Sequence, residues 1–148
     1  MILRSCLRLF LILVIASCAS VAHGEVVVIV SSKSTITSLT PEQTARIFLG
    51  KDDKFPNDET AIPIDQPEGD DTRDEFYLKV ARKTASQMAS YWSKLIFTGE
   101  GKLSQTVKGD KEIIKFIAGN PSAIGYIDKR VLLDKHVLKK SIRVVLTP

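Results

Sequence analysis

The run Val26-Val27-Val28-Ile29-Val30, entered from Glu25 and closed by Ser31-Ser32-Lys33-Ser34, constrains the fold more than any other stretch of the chain. Consecutive β-branched residues favour extended backbone, because a branched Cβ stiffens χ1 and fits a pleated surface. A strand with one wet face alternates apolar and polar residues, whereas an unbroken apolar run suits a strand buried on both faces of a sheet. Such a strand needs helices on either side, and the remainder of the chain reads as supplying them.

Thr40-Pro41-Glu42-Gln43 combines a cap residue, proline at the first helical position and the glutamine of a capping box. Ala45, Phe48 and Leu49 give that helix its apolar face, and Gly50 ends it. Residues 51–60 are polar, with Pro56 and Asn57, and read as a loop. Ala61 to Ile64 is a second strand, followed from Asp71 to about Lys83 by a helix burying Phe76 and Val80 beside Tyr77 and Ala81. Thr84-Ala85-Ser86-Gln87 opens another helix with Met88, Tyr91, Trp92 and Leu95 on one face, and Phe97 to Gly101 reads as a loop. Asp110 caps a helix faced by Ile113, Ile114, Ile117 and Ala118, which Gly119-Asn120-Pro121 stops. Ala123 to Ile127 is a short strand whose central Gly125 marks close backbone approach or a bulge. Residues 131–137 are ambiguous, and Ser141 to Leu146 is a closing strand. The pattern predicts one α/β domain, with a mixed or parallel sheet of about four strands flanked by helices.

Residues 1–24 stand apart as a secretory signal peptide: Arg4 and Arg8, the apolar run Leu9 to Ala16, then small residues at Ala22 and Gly24 before Glu25. This predicts a periplasmic domain at residues 25–148. A second route competes, since Ile15-Ala16-Ser17-Cys18 resembles a lipobox and would make Cys18 a lipidated membrane anchor. Both cysteines, Cys6 and Cys18, lie in the leader, so the domain must stand on its core without a disulfide. Removing Arg4 and Arg8 takes the formal charge from +4 to +2, too little to argue for nucleic acid. No transmembrane helix is expected after the leader.

The candidate site is Ala61 to Tyr77, AIPIDQPEGDDTRDEFY. A strand turning through Gln66-Pro67-Glu68-Gly69 into a helix N-terminus is where α/β proteins hold small ligands, because free N–H groups and the positive end of the helix dipole converge there. The hydroxyl-rich turn at Ser31 and Ser32 and the strand residue Tyr126 are expected to face the same crevice. For Tyr126 the alternative is a core ring with its hydroxyl at the surface.

With these elements placed, the chain resembles the phosphate-binding-protein-like family of periplasmic solute-binding proteins. Leu39-Thr40-Pro41-Glu42-Gln43 to Ile47-Phe48-Leu49-Gly50, Asp65 to Phe76, Tyr91-Trp92 to Ile96-Phe97-Thr98-Gly99, and Asn120-Pro121-Ser122-Ala123-Ile124-Gly125-Tyr126-Ile127 carry the likeness. The resemblance implies a single three-layer lobe of the type II periplasmic-binding-protein fold. It also implies an oxyanion ligand such as phosphate, delivered to the membrane subunits of an ABC importer. Aligned on Phe76, Thr72 takes the place of the family's loop threonine, Asp70 and Asp71 replace a serine and a glycine, and the family's arginine falls near Gln66.

Arg73 could substitute for that cation, and Gly69, Thr72 and the helix N–H groups could contact an anion. Against them, Asp65 to Glu75 carries six acids and one arginine. Two carboxylates about 4 Å from an anion each oppose it by about 1 kcal/mol even in water. The residues leave other readings open: Asp70 and Asp71 as helix caps, Asp65, Glu68, Asp70 and Asp71 as oxygen ligands for a cation, or the whole lobe as an interaction module for an envelope partner that has lost solute binding. No metal or cofactor is expected. His136 is the only histidine beyond the leader, and no thiol or G-x-S-x-G elbow accompanies it, so nucleophilic hydrolysis and zinc chemistry lack parts. A carboxylate pair stays open, but no catalytic set is predicted.

Overall fold

The computed structural model describes residues 24–101, 104–134 and 139–148. Residues 1–23 of the signal peptide, with both cysteines and the lipobox, and His136 lie outside the described residues. The elements run β1 (Val26–Ser31), α1 (Pro41–Phe48), β2 (Ile62–Asp65), α2 (Asp71–Ala81), α3 (Ala85–Thr98), β3 (Gln105–Thr106), α4 (Asp110–Gly119), β4 (Ala123–Asp128), a 3₁₀ turn (Lys129–Leu133) and, after a second 3₁₀ turn, β5 (Ile142–Leu146). Among the described residues, no helix is long and apolar enough to cross a membrane.

The sheet has five strands in the order β3-β2-β4-β1-β5. β2 is parallel to β4 and to β3, whereas β1 is antiparallel to β4 and to β5, so the sheet is mixed. The fifth strand is the two-residue β3, which pairs Ile64 with Gln105 and Asp65 with Thr106 inside a stretch without any apolar run. The other four are the four strands the sequence predicts.

β1 is buried along its whole length and sends alternate residues to opposite faces. Val26, Val28 and Val30 join Phe48, Phe76, Tyr77, Met88 and Tyr126 on the face covered by α1, α2 and α3. Val27 and Ile29 join Ile64, Ile113, Ile114, Ile117 and Ile127 on the face covered by α4. The result is three layers, with helices on both sides of the sheet. On the first face the Phe76 and Tyr126 rings stack at 3.9 Å, and Phe48 meets Phe76 edge-on at 4.7 Å. Gly125 allows the close approach its position suggests, since a Cβ there would sit 3.0 Å from Ile113 Cγ2.

The helix starts follow the sequence signals. Thr40 with Gln43 and Thr84 with Gln87 form complete capping boxes. Two boundaries differ from expectation. α3 continues through Phe97 to Thr98 before Gly99 caps it at φ 74°, because nothing before that glycine breaks the helix. Asp110 is the first residue of α4 rather than its cap. Gly109 caps with no side-chain bond, and the Asp110 carboxylate is drawn to other donors.

Candidate functional site

β2 and β4 run parallel, so their carboxyl ends open on the same side of the sheet. The chain leaves β2 at Asp65, turns through Gly69 at φ 87°, and enters α2 from Asp70. An L side chain is disfavoured at that φ, which is why glycine stands there. This puts the start of α2 beside Asp128, the last residue of β4. Turn, helix N-terminus and the ends of β2 and β4 therefore meet, without the Ser31 end of β1 that the sequence reading adds to them.

The donors of that turn, however, are bonded within the chain. Asp70 Oδ1 accepts from the backbone N–H groups of Thr72 at 2.9 Å and Arg73 at 3.4 Å. Asp70 thus acts as an N-cap and occupies N–H groups that would otherwise face a ligand. Gln66 is buried, and its Nε2 donates to Asp110 Oδ1 at 2.8 Å and to the Tyr126 carbonyl at 3.3 Å.

Asp65 is the hub beneath the loop. Its Oδ2 accepts from the Tyr77 hydroxyl at 2.7 Å. Its Oδ1 accepts from the Gln66 N–H at 2.8 Å and from the Tyr126 hydroxyl. Arg73 points inward, with Nε 3.6 Å from Asp65 Oδ1 and its guanidinium 5.1 Å from the centre of the Tyr77 ring. It is 7% exposed, so the cation proposed as a stand-in is buried against a carboxylate instead of presented to solvent. Burial, then the Asp65 charge and hydrogen bonds, push the Tyr77 and Tyr126 hydroxyls far above the ordinary tyrosine range. The Tyr126 hydroxyl is therefore buried and bonded, contrary to the alternative that it reaches the surface.

Ser31 and Ser32 do not share this crevice. β1 is antiparallel to β4, with Val26 opposite Asp128 and Val30 opposite Ile124. Ser31 consequently lies at the other end of the sheet, roughly 16 Å along the strand from Val26 at about 3.3 Å per residue. It is fully buried, and its hydroxyl donates to the Ala118 carbonyl at 3.4 Å. The expectation of a shared crevice assumed that β1 runs alongside its neighbours, and strand direction is not written in a single apolar run.

Thr72 and Asp71 do reach open space. Thr72, Asp128 and Arg130 line two adjoining cavities, of about 540 Å³ and 500 Å³. The first also takes in Asp71, Asp74 and Glu75, and the second Asp110, Lys111 and Asp134. Two cations stand here that motif reading missed. Arg130 pairs with Asp128, its Nε at 2.9 Å from Oδ2, and Lys111 Nζ lies 2.7 Å from Asp134 Oδ2. Both side chains are 69% exposed. The signal for Arg130 was positional, since Lys129-Arg130 directly follows the Gly125 strand. Arg130 holds the Asp128 carboxyl below the usual carboxylate range, chiefly by its hydrogen bond, whereas burial pushes the Asp110 carboxyl up. Among the described residues, no group of three or more metal-ligating side chains is placed to hold a metal. A separate cavity of about 500 Å³, between Ile47, Lys51, Ile62 and Gln105, reaches the start of the Ala61 to Tyr77 stretch but includes none of the side chains expected to contact a ligand.

No family model and no curated protein matches the chain. Solved structures do. A Clostridium perfringens structure with bound phosphate, described as a phosphate ABC transporter substrate-binding protein, aligns at TM-score 0.62 and 23% identity. The match covers 82% of this chain and 44% of that one. An ABC-type phosphate transport receptor from Vibrio cholerae aligns at TM-score 0.61 and 16% identity, over 82% and 45% of the two chains. PstS from Borrelia burgdorferi aligns at 0.54 and 18%, over 82% and 46%. The chain thus spans under half the length of the structures it matches. It has the α/β fold of the phosphate-type solute-binding proteins, in the extent of a single lobe.

Proposed function

We propose that the chain is an exported, periplasmic binding protein that takes a phosphate-like oxyanion weakly, or with help from a second protein surface such as an ABC importer subunit. The reading is one of binding and not of catalysis. The observation that carries it is the position of Thr72, beside the exposed guanidinium of Arg130 and at the carboxyl ends of two parallel strands. An anion there would meet a hydroxyl, Arg130 and Lys111. It would also meet Asp110, Asp128 and Asp134, which supports weak and salt-sensitive binding.

Thermal denaturation with phosphate, sulfate and chloride at matched ionic strength tests this. A melting point that rises with phosphate, and does so less in Thr72→Val and Arg130→Gln variants, is the expected result. No rise at millimolar phosphate would end the reading.

A second reading is favoured by a different observation. α3 buries only Met88 fully and ends in Ile96 and Phe97, 57% and 92% exposed. Together with donors already taken by Asp70, this supports an interaction module for an envelope protein or a second copy. A dimer in size-exclusion chromatography that Phe97→Ser dissolves would favour it, and a monomer would not.

A further inference from the structure

Gly24 lines the larger Thr72 cavity together with Asp128 and Arg130. It sits so close that a Cβ added there would overlap Asp128 Oδ2 and fall 3.1 Å from Arg130 Nη2. The chain is fixed just beyond it. The Lys129 N–H donates to the Glu25 carbonyl at 2.7 Å, and Lys129 Nζ to Glu25 Oε2 at 2.9 Å. The sequence pattern puts export cleavage at the peptide bond between Gly24 and Glu25. The bond to be cut therefore adjoins the candidate site.

We propose that this cleavage completes the site: the α-ammonium it creates on Glu25 takes Asp128 as its partner and frees Arg130 for an anion beside Thr72. The role of Arg130 rests on the oxyanion reading above, whereas the pairing of the amino terminus with Asp128 does not. In the step itself, an export-pathway peptidase adds water across the amide. The C–N bond breaks, hydroxide joins the Gly24 carbonyl to leave a carboxylate, and Glu25 keeps an amine that takes up a proton at neutral pH.

The physical case is one of local charge. At present a neutral peptide occupies this point, and Asp128 has Arg130 as its partner, through Nε, Nη2 and the backbone N–H. An ammonium is compact and carries three donors, and the chain end that bears it adjoins Gly24, where an added Cβ would overlap Asp128 Oδ2. Asp71, Asp74 and Glu75 of α2 face the same cavity and add to the attraction, and Arg130 opposes it. Because Arg130 is largely exposed, exchanging its pair for water or an anion costs little. All residues of the two described core clusters lie at Val26 or later, so residues 25–148 carry the whole described core.

The full chain with its own leader should be expressed in a host that exports it, and the intact mass of the product measured. The expected amino terminus is Glu25, and a product lipidated at Cys18 or retaining Gly24 overturns the proposal. On the exported protein, the α-amino group is followed through its titration by NMR after isotopic reductive methylation. Titration above the ordinary range of about 7.7–8.0 is expected, returning to that range in Asp128→Asn. An ordinary titration in the unsubstituted protein overturns the proposal. Phosphate affinity is then compared with a form made without the leader but beginning Met-Ser ahead of Gly24, which keeps a neutral peptide at this point. The extended form should bind phosphate about threefold more weakly, or worse, at low salt. Equal affinities overturn the link to Arg130. No binding by either form, with the α-amino shift present, sustains the pairing with Asp128 and counts against the oxyanion reading alone.

Discussion

The two ends of the sheet carry similar polar side chains and use them differently. At the β2 and β4 carboxyl ends, Asp65, Gln66, Tyr77 and Tyr126 are buried and hydrogen-bonded to one another, and the buried Arg73 is ion-paired with Asp65 without a hydrogen bond from its Nε. At the other end, polar side chains hold loop backbone or meet at the surface. Arg143 Nη1 donates to the Ser34 and Ile36 carbonyls at 2.9 Å each, and Nη2 to Ser32 O at 3.2 Å. The Thr35 hydroxyl donates to exposed Glu59 at 2.6 Å and accepts from Asn57 at 2.8 Å. The same chemistry therefore carries different stakes. Where water is excluded, losing a partner strands a charge; where water is near, it can step in.

The largest expected effect tests that contrast directly. Asp65→Ala leaves the buried Arg73 without its carboxylate and two tyrosine hydroxyls without their acceptor, and should cost about 3–5 kcal/mol in urea denaturation. Arg143→Ala removes three charge-assisted bonds made by a half-buried guanidinium, and should cost about 1–2 kcal/mol. Equal losses at the two ends would break the comparison.

A finer pair follows. Tyr126→Phe keeps the ring stacked on Phe76 but deletes the hydroxyl that donates to Asp65 and accepts from the Gln66 N–H at 3.1 Å. A loss of about 1–2 kcal/mol is expected. Thr35→Ala, at the surface end, should change stability by no more than about 0.5 kcal/mol. Adding Tyr77→Phe sharpens the first measurement. Two hydroxyls sharing one carboxylate should be non-additive in a double-mutant cycle, and strict additivity would deny that Asp65 is a shared hub.

Local signals carried the fold into view from sequence. Five apolar residues in a row placed a two-faced strand, and Thr40 and Thr84 placed helix starts because a cap and its box lie within four residues. What stayed hidden depends on pairing across distance. The direction of β1 is set by its neighbours, which is why Ser31 was expected in the wrong crevice. β3 is a strand only because Ile64 and Asp65 lie beside it. At the site, Thr72 and the turn were legible because helix starts have a grammar. The inward turn of Arg73 was not, since its partner Asp65 is also reached by tyrosines at positions 77 and 126. Nor could sequence spacing show that Asp110, 44 residues from Gln66, would take its side chain.

The smallest expected effect is a pH dependence at the loop end. Burial raises the Asp110 carboxyl above its ordinary value, so the native state holds that proton more tightly than the unfolded chain. Its contribution to stability is full below the ordinary carboxylate value of about 3.9 and is lost as pH rises through the raised native value. Asp128, lowered by Arg130, works in the opposite sense: its contribution is present above the ordinary value and is lost as pH falls through the depressed one. In wild type the two slopes oppose each other. Asp110→Asn removes the first and leaves the second; the bond from the Asp128 N–H, which favours the charged carboxylate and partly offsets the effect of burial, goes with it. Relative to wild type, the variant should gain a few tenths of a kcal/mol as pH rises from about 3 to about 7, read from urea midpoints. A gap between the two proteins that stays constant with pH would mean that burial does not hold the Asp110 proton. The loop end would then lose its claim to be the drier of the two.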